Sequence, residues 1–231
     1  MMSIDRNHNS TELQLLIKIC FSPGSLKKED FITIDEQRLY TLAQWHGVRN
    51  LLLMGITSGL VSDKLYQHLH AGATKSTFQA LFQTNALTTL LSAFNEASVP
   101  YYAYKGIVWS QWLYNDLNTR SSGDIDVLIP KEYFQKAIQV AIGQGYILND
   151  YWNYLMDDNK EYIRDAFYRT DYHVPLTHTS GLTLELHWQP AYTRLSYDFP
   201  SEEWKVWKSD IELQRQKVVM FKNEYQLLLL I

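Results

Sequence analysis

The feature that most constrains this chain is Asp124-Ile125-Asp126, set between Ser121-Ser122-Gly123 and a short aliphatic run that Pro130 closes. Ser-Ser-Gly is turn chemistry, and residues 124–129 have the β-branched content of a strand. Strand side chains alternate between faces, so Asp124 and Asp126 share one face while Ile125, Val127 and Ile129 enter a core. Two carboxylates so placed repel. Repulsion raises one pKa or recruits a counter-ion, and a hard divalent cation with oxygen ligands, Mg²⁺ above all, is the usual solution. Standing alone, such a pair is no more than a solvated strand start.

Its surroundings add two elements. Upstream, a strand over 99–104 leads to Lys105-Gly106 and then to residues 107–117, which lack Pro and Gly and space their apolar residues as a helix does. Amides at a helix start attract phosphate, and a glycine there permits close approach. Downstream, residues 181–188 alternate well, placing Thr183, Glu185 and His187 on one face and Leu182, Leu184, Leu186 and Trp188 on the other. If that strand pairs beside Asp124 and Asp126, three carboxylates converge, which is the requirement of two-metal phosphoryl chemistry.

Lys105-Gly106, a helix ending in Leu113-Tyr114, Arg120, the run from Gly123 to Pro130, Gly145-Tyr146 and Leu184-Glu185-Leu186-His187-Trp188 together resemble the uncharacterised bacterial nucleotidyltransferases of the polymerase-beta-like superfamily. The resemblance covers roughly residues 40–231. It implies that Asp124, Asp126 and Glu185 are the metal ligands, with Mg²⁺ or Mn²⁺ as cofactor and an NTP as substrate. It implies transfer of a nucleoside monophosphate to a small-molecule or protein hydroxyl, with release of pyrophosphate. Better-known superfamily members open the helix with Gly-Ser, where this chain has Lys105-Gly106. That departure keeps open a second reading, a non-catalytic module of the same fold acting as partner or scaffold in a biosynthetic or toxin-antitoxin pair.

Other candidates stay two-sided at this level. Lys105 either pairs with a phosphate or is a solvated helix-start lysine. Arg120 either reaches a triphosphate or bridges to the acids. His187 either orients a ligand, acts as a base or makes a structural hydrogen bond, the last being the ordinary role of such a histidine. No His-x-x-x-His or Cys-x-x-Cys spacing makes a zinc site, and no Walker A, Gly-x-Ser-x-Gly or dinucleotide fingerprint is present.

Composition narrows the partners. With 21 basic and 25 acidic residues the formal net charge is −4, and no broad basic tract exists, so duplex nucleic acid is not an expected partner. A hydrophobic share of 46% over 231 residues is enough for a substantial core. The single Cys20 excludes an intramolecular disulfide, and the polar opening residues lack the apolar run of a secretion signal, so a cytoplasmic location and no membrane are expected.

The expected fold is α/β (α+β), a helical module preceding a small mixed sheet. The expected division is a helical module over 1–97, a nucleotidyltransferase-like domain over 98–198, and the start of a C-terminal extension over 199–231. Within the first part, helices are expected over 11–21 capped by Ser10, from Asp35 to about His46, over 62–71, and from there to Ala97. Residues 131–143 form an amphipathic helix and 146–148 a strand. Residues 149–171 read as a loop or frayed helix. A hairpin joins 172–177 to 182–188, residues 194–210 connect, 218–221 form a strand, and Asn223 caps an apolar helix still unfinished at Ile231, expected either to continue or to offer a partner surface.

Overall fold

The computed structural model describes residues 10–120, 122–192 and 199–229. Contacts divide the chain into two compact units, one formed by the described residues up to Ala80 with 116–120, the other by Leu81–Asn115 and the described residues from Ser122 on.

The first unit is helical. Helix α1 (Thr11–Phe21) starts where Ser10 Oγ accepts the Leu13 amide at 3.2 Å. Helix α2 (Glu36–Trp45) starts where the Asp35 carboxylate accepts the amides of Gln37 and Arg38 at 2.9 and 3.1 Å. Each cap satisfies donors that a helix start otherwise leaves unpaired. Residues 48–55, unassigned from sequence, contain helix α3 (Arg49–Gly55). Leu15, Ile19, Leu39, Leu52 and Leu69 close the core of this unit.

Helix α4 (Asp63–Glu96) is one element of 34 residues, where the sequence suggested two. Gly72 alone separated the two segments, and one interior glycine costs only about 1 kcal/mol, too little to break a helix carried by a long apolar stripe. The grouping of contacts changes between Ala80 and Leu81, inside this helix.

The second unit is built on a mixed sheet. Its elements in order are β1 (Tyr102–Tyr104), α5 (Gly106–Tyr114), β2 (Asp124–Leu128), α6 (Phe134–Gly143), β3 (Tyr146–Ile147), α7 (Asp150–Leu155), α8 (Glu161–Thr170), β4 (His173–His178) and β5 (Thr183–His187). After these come α9 (Trp204–Trp207), β6 (Lys208–Leu213), β7 (Gln216–Phe221) and α10 (Asn223–Leu228). The five-stranded sheet has the order β1-β2-β5-β4-β3, with β2 and β5 parallel and the other pairs antiparallel. Strands β6 and β7 form a separate hairpin.

Residues 149–171, read as a loop or frayed helix, hold two helices. Asn149 Oδ1 accepts the Trp152 amide at 3.1 Å to start α7, and α8 buries Phe167 and Tyr168. Both rings meet Trp188 edge-on, at centroid distances of 5.3 and 4.8 Å, so tertiary packing supplies what the weak periodicity hid. Asn223 is the first helical residue of α10 and Lys222 its cap, a one-residue shift from the sequence reading. Residues 194–198 of the expected connector lie outside the described residues.

On one side of β1 a second cluster of rings closes. Tyr102 stacks on Phe221 at 4.7 Å and meets Trp204 edge-on at 5.4 Å, and the buried Trp109 Nε1 donates to Gln226 Oε1 at 2.6 Å. These contacts tie α5, β7 and α10 to the sheet and hold the start of α5 against it. Among the described residues no helix is long and apolar enough to cross a membrane.

Candidate active site

The site forms where three neighbouring strands lie in register. Parallel pairing of β2 with β5 sets Asp124 opposite Thr183, Asp126 opposite Glu185 and Leu128 opposite His187. Antiparallel pairing of β1 with β2 sets Tyr104 opposite Asp126, and the chain turns into α5 immediately afterwards. Asp126 and Glu185 are therefore brought side by side although 58 residues separate them in the sequence.

Asp126 is 5% exposed, an environment that demands partners for a carboxylate. Its Oδ1 is 3.1 Å from His187 Nε2 and 3.4 Å from Lys105 Nζ. Glu185 has one oxygen 3.4 Å from His187 Nε2 and the other 3.8 Å from His173 Nε2. The His187 hydrogen bond, more than burial opposes it, holds the Glu185 carboxyl below its ordinary value, with help from the charges of His173, His187 and Lys105. Asp124 is half-buried and accepts from Ser122 Oγ at 3.3 Å. Burial first, then the charges of Asp126 and Glu185, push its carboxyl up.

His187 is fully buried, with Nε2 facing both carboxylates and Nδ1 without a hydrogen-bond partner among the described residues. A bare Nε2 lone pair facing two carboxylate oxygens would repel both. We therefore assign an N–H to Nε2. His173 stacks on His187 at 5.1 Å with a tilt of 22°. Burial chiefly, and the His187 ring next, push the His173 imidazole down. Tyr104 meets His187 edge-on at 5.3 Å, and burial and the Asp126 charge push its phenol well above the ordinary value.

Asp126, Glu185 and His187 offer one ligand atom each within 4.8 Å of one another. The two carboxylates fit a divalent cation, and with an N–H on Nε2 the histidine would serve such an ion by orienting the acids rather than by ligating it. Asp124 lies outside that group of three atoms and is linked to it through charge and strand alternation.

The start of α5 is a strained corner. Lys105 has φ 57° and ψ −162°, a combination populated almost only by glycine, and Gly106 follows at φ 44°. A Cβ on Gly106 would lie 2.8 Å from Ser122 Oγ and 3.4 Å from the Asp124 carbonyl oxygen. Gly106 thus lets the helix start approach the turn into β2.

Of the sequence-derived candidates, Lys105, Gly106, Asp124, Asp126 and Glu185 all fall in the second unit. Arg120 falls in the segment that groups with the first. Lys105 is not simply a solvated helix-start lysine, since its ammonium pairs with Asp126. His187 and His173 are the residues that sequence reasoning underweighted. The signal for His187 was already visible in Thr183-x-Glu185-x-His187, because alternation places it on the acid's own face.

Comparison with known proteins gives three findings. A model of the family described as "Uncharacterised nucleotidyltransferase" matches residues 33–231. Comparison with curated proteins finds no match. Among solved structures, the lincosamide antibiotic adenylyltransferase LnuA with lincomycin bound is similar at 21% identity and a TM-score of 0.42, covering 62% of this chain and 83% of that one. An antigenic nucleotidyltransferase-like protein from Paracoccidioides brasiliensis is similar at 14% identity and a TM-score of 0.28, covering 63% of this chain and 62% of that one. With the family match running through the helix start, both aspartates and the glutamate strand, the chain belongs to the uncharacterised nucleotidyltransferase family.

Proposed function

We propose that the protein transfers a nucleoside monophosphate from an NTP to an acceptor hydroxyl, with release of pyrophosphate, using a divalent metal held by Asp124, Asp126 and Glu185. The observation that carries this reading is the in-register pairing of Asp126 with Glu185, beside Asp124 and next to a glycine-bearing helix start. When bound, the divalent ion supplies Lewis acidity and charge neutralisation at the reacting phosphoryl group. The hydrogen bond from His187 favours the ionised form of Glu185 that a metal ligand needs, and at the acceptor Glu185 would help to deprotonate its hydroxyl. His187 fixes Asp126 and Glu185 at once, so neither carboxylate has to reorganise as charge develops. The amides that open α5 are suited to the phosphates, with Lys105 adding a cation beside them. Cys20 is a free, partly buried thiol, in keeping with a reducing, cytoplasmic setting.

The test is turnover of labelled NTP with Mg²⁺ or Mn²⁺ against fractionated small-molecule and protein acceptors. Label should appear in one fraction together with pyrophosphate, and Asp124→Asn with Asp126→Asn should abolish both. Labelling that persists in the double variant would place the chemistry elsewhere. If NTP and metal bind but neither fraction is labelled, the chain is a binding module.

A further inference from the structure

We infer that the Lys105 ammonium is a tethered cation that competes with a divalent ion for Asp126 and, once displaced, is available to the phosphates at the start of α5. The inference rests on the metal-dependent reading above.

Three independent observations lead here. Lys105 Nζ lies 3.4 Å from Oδ1 of Asp126, a carboxylate that is itself 5% exposed, and 4.8 Å from the centroid of the Tyr104 ring. An ammonium so placed is partly withdrawn from water and held by a buried charge and a ring face, which is unusual for a long, strongly hydrated side chain. The second observation is the backbone. A lysine in a conformation reserved almost wholly for glycine persists only when its surroundings fix it, and such strain gathers at functional sites. The third is position in the chain. Lys105 is the cap residue of α5, its carbonyl accepting the Trp109 amide at 3.0 Å, so its side chain is tethered at the start of a helix of nine residues.

A divalent ion in contact with Asp126 and an ammonium at this distance from the same carboxylate repel one another strongly in a poorly hydrated site. Binding of the ion therefore drives the ammonium off Asp126. The lysine has no backbone freedom with which to retreat, so only its side-chain torsions move, and the helix start stays within its reach. Metal and nucleotide binding then become coupled: the ion releases the charge that the phosphates receive. A lysine that only contacts phosphate would leave binding of the ion alone unchanged.

The experiment is titration of Mn²⁺ by electron paramagnetic resonance on wild type, Lys105→Met, Lys105→Gln and Lys105→Arg, without nucleotide. Methionine and glutamine leave the backbone restraint in place and remove the charge. Both neutral variants should bind Mn²⁺ about tenfold or more tightly than wild type, and the difference should persist at about 0.5 M NaCl, where long-range repulsion is screened but contact exclusion is not. Lys105→Arg should bind Mn²⁺ no better than wild type, because its fork holds a carboxylate more firmly. With Mn²⁺ present, the neutral variants should bind a non-hydrolysable NTP analogue more weakly than wild type. Wild type and both neutral variants agreeing within about twofold at high salt would overturn the competition while leaving the metal site standing. No Mn²⁺ binding by any of the four proteins would overturn the competition and the metal-dependent reading together.

Discussion

Asp126 on β2 and Glu185 on β5 face one another across a parallel strand pair, and His187 Nε2 lies 3.1 Å from the first and 3.4 Å from the second. Register is what joins them. A slip of one residue in either strand would turn one carboxylate to the opposite face. Buried Leu184 and Leu186 on β5 and Ile125 and Val127 on β2 oppose such a slip, because it would expose them. The core side chains between the acids therefore fix the spacing of the acids.

Glu185→Gln keeps the size of the side chain and removes its charge. If Glu185 takes up the acceptor's proton, the variant retains metal-dependent thermal stabilisation by NTP and loses pyrophosphate release by about a hundredfold or more. Equal losses in nucleotide binding and in turnover would instead make Glu185 a binding residue.

The tautomer assigned to His187 separates two substitutions. Gln places an amide N–H near the position of Nε2–H, whereas Phe keeps the ring packing against His173 and Tyr104 and removes the donor. His187→Phe should weaken Mn²⁺ binding by about 10- to 100-fold, the usual cost of losing a residue that orients a ligand, and His187→Gln should recover most of it. Spectroscopic titration of Mn²⁺ reads both. If the two variants bind equally, the donor at Nε2 has no part in holding the acids.

Much of this site was legible because strand alternation is a local signal. Asp124 and Asp126 on one face of their strand, Glu185 and His187 on one face of theirs, and a glycine at a helix start all follow from spacing within single elements. What pairs with what is not local. Nothing in residues 104–106 announces that Lys105 folds back onto Asp126, and nothing near Gly106 announces Ser122. The glycine was expected to admit phosphate; the structure shows that it first admits Ser122 Oγ, 2.8 Å from where a Cβ would stand. Residues 149–171 stayed undecided between loop and frayed helix for a related reason. The ring that α8 packs against is Trp188, on the far side of a hairpin.

Strain at Lys105 can be measured apart from its charge. Lys105→Gly and Lys105→Ala both delete the ammonium and the long side chain, and they differ in their tolerance of φ 57°, ψ −162°. Lys105→Gly should therefore be the more stable of the two by about 1–3 kcal/mol, although glycine elsewhere lowers stability through the unfolded chain. Urea unfolding of the pair gives the number directly. An alanine variant as stable as the glycine variant would show that the corner relaxes readily and that nothing holds Lys105 in place.

Asp124 and Glu185 should respond to pH in opposite directions. Burial and its acidic neighbours hold the Asp124 carboxyl above its ordinary value, so the folded chain binds that proton more tightly than the unfolded chain does. Ionised in both states at neutral pH, Asp124 then costs stability, and the cost fades as pH falls through the folded pKa and is gone below the unfolded value of about 3.9. The Glu185 carboxyl is held low, chiefly by His187, so it contributes stability above its unfolded value of about 4.3, and that contribution is lost as pH falls through its folded pKa. Asp124→Asn should be more stable than wild type near neutrality and Glu185→Gln less stable, with both differences shrinking as pH is lowered to about 3.5. Urea unfolding without divalent ions, across that range, reads the two slopes. Asp124→Asn proving less stable than wild type at neutral pH would mean that the hydrogen bond from Ser122 outweighs the repulsion, and Asp124 would then be an anchor of the turn into β2.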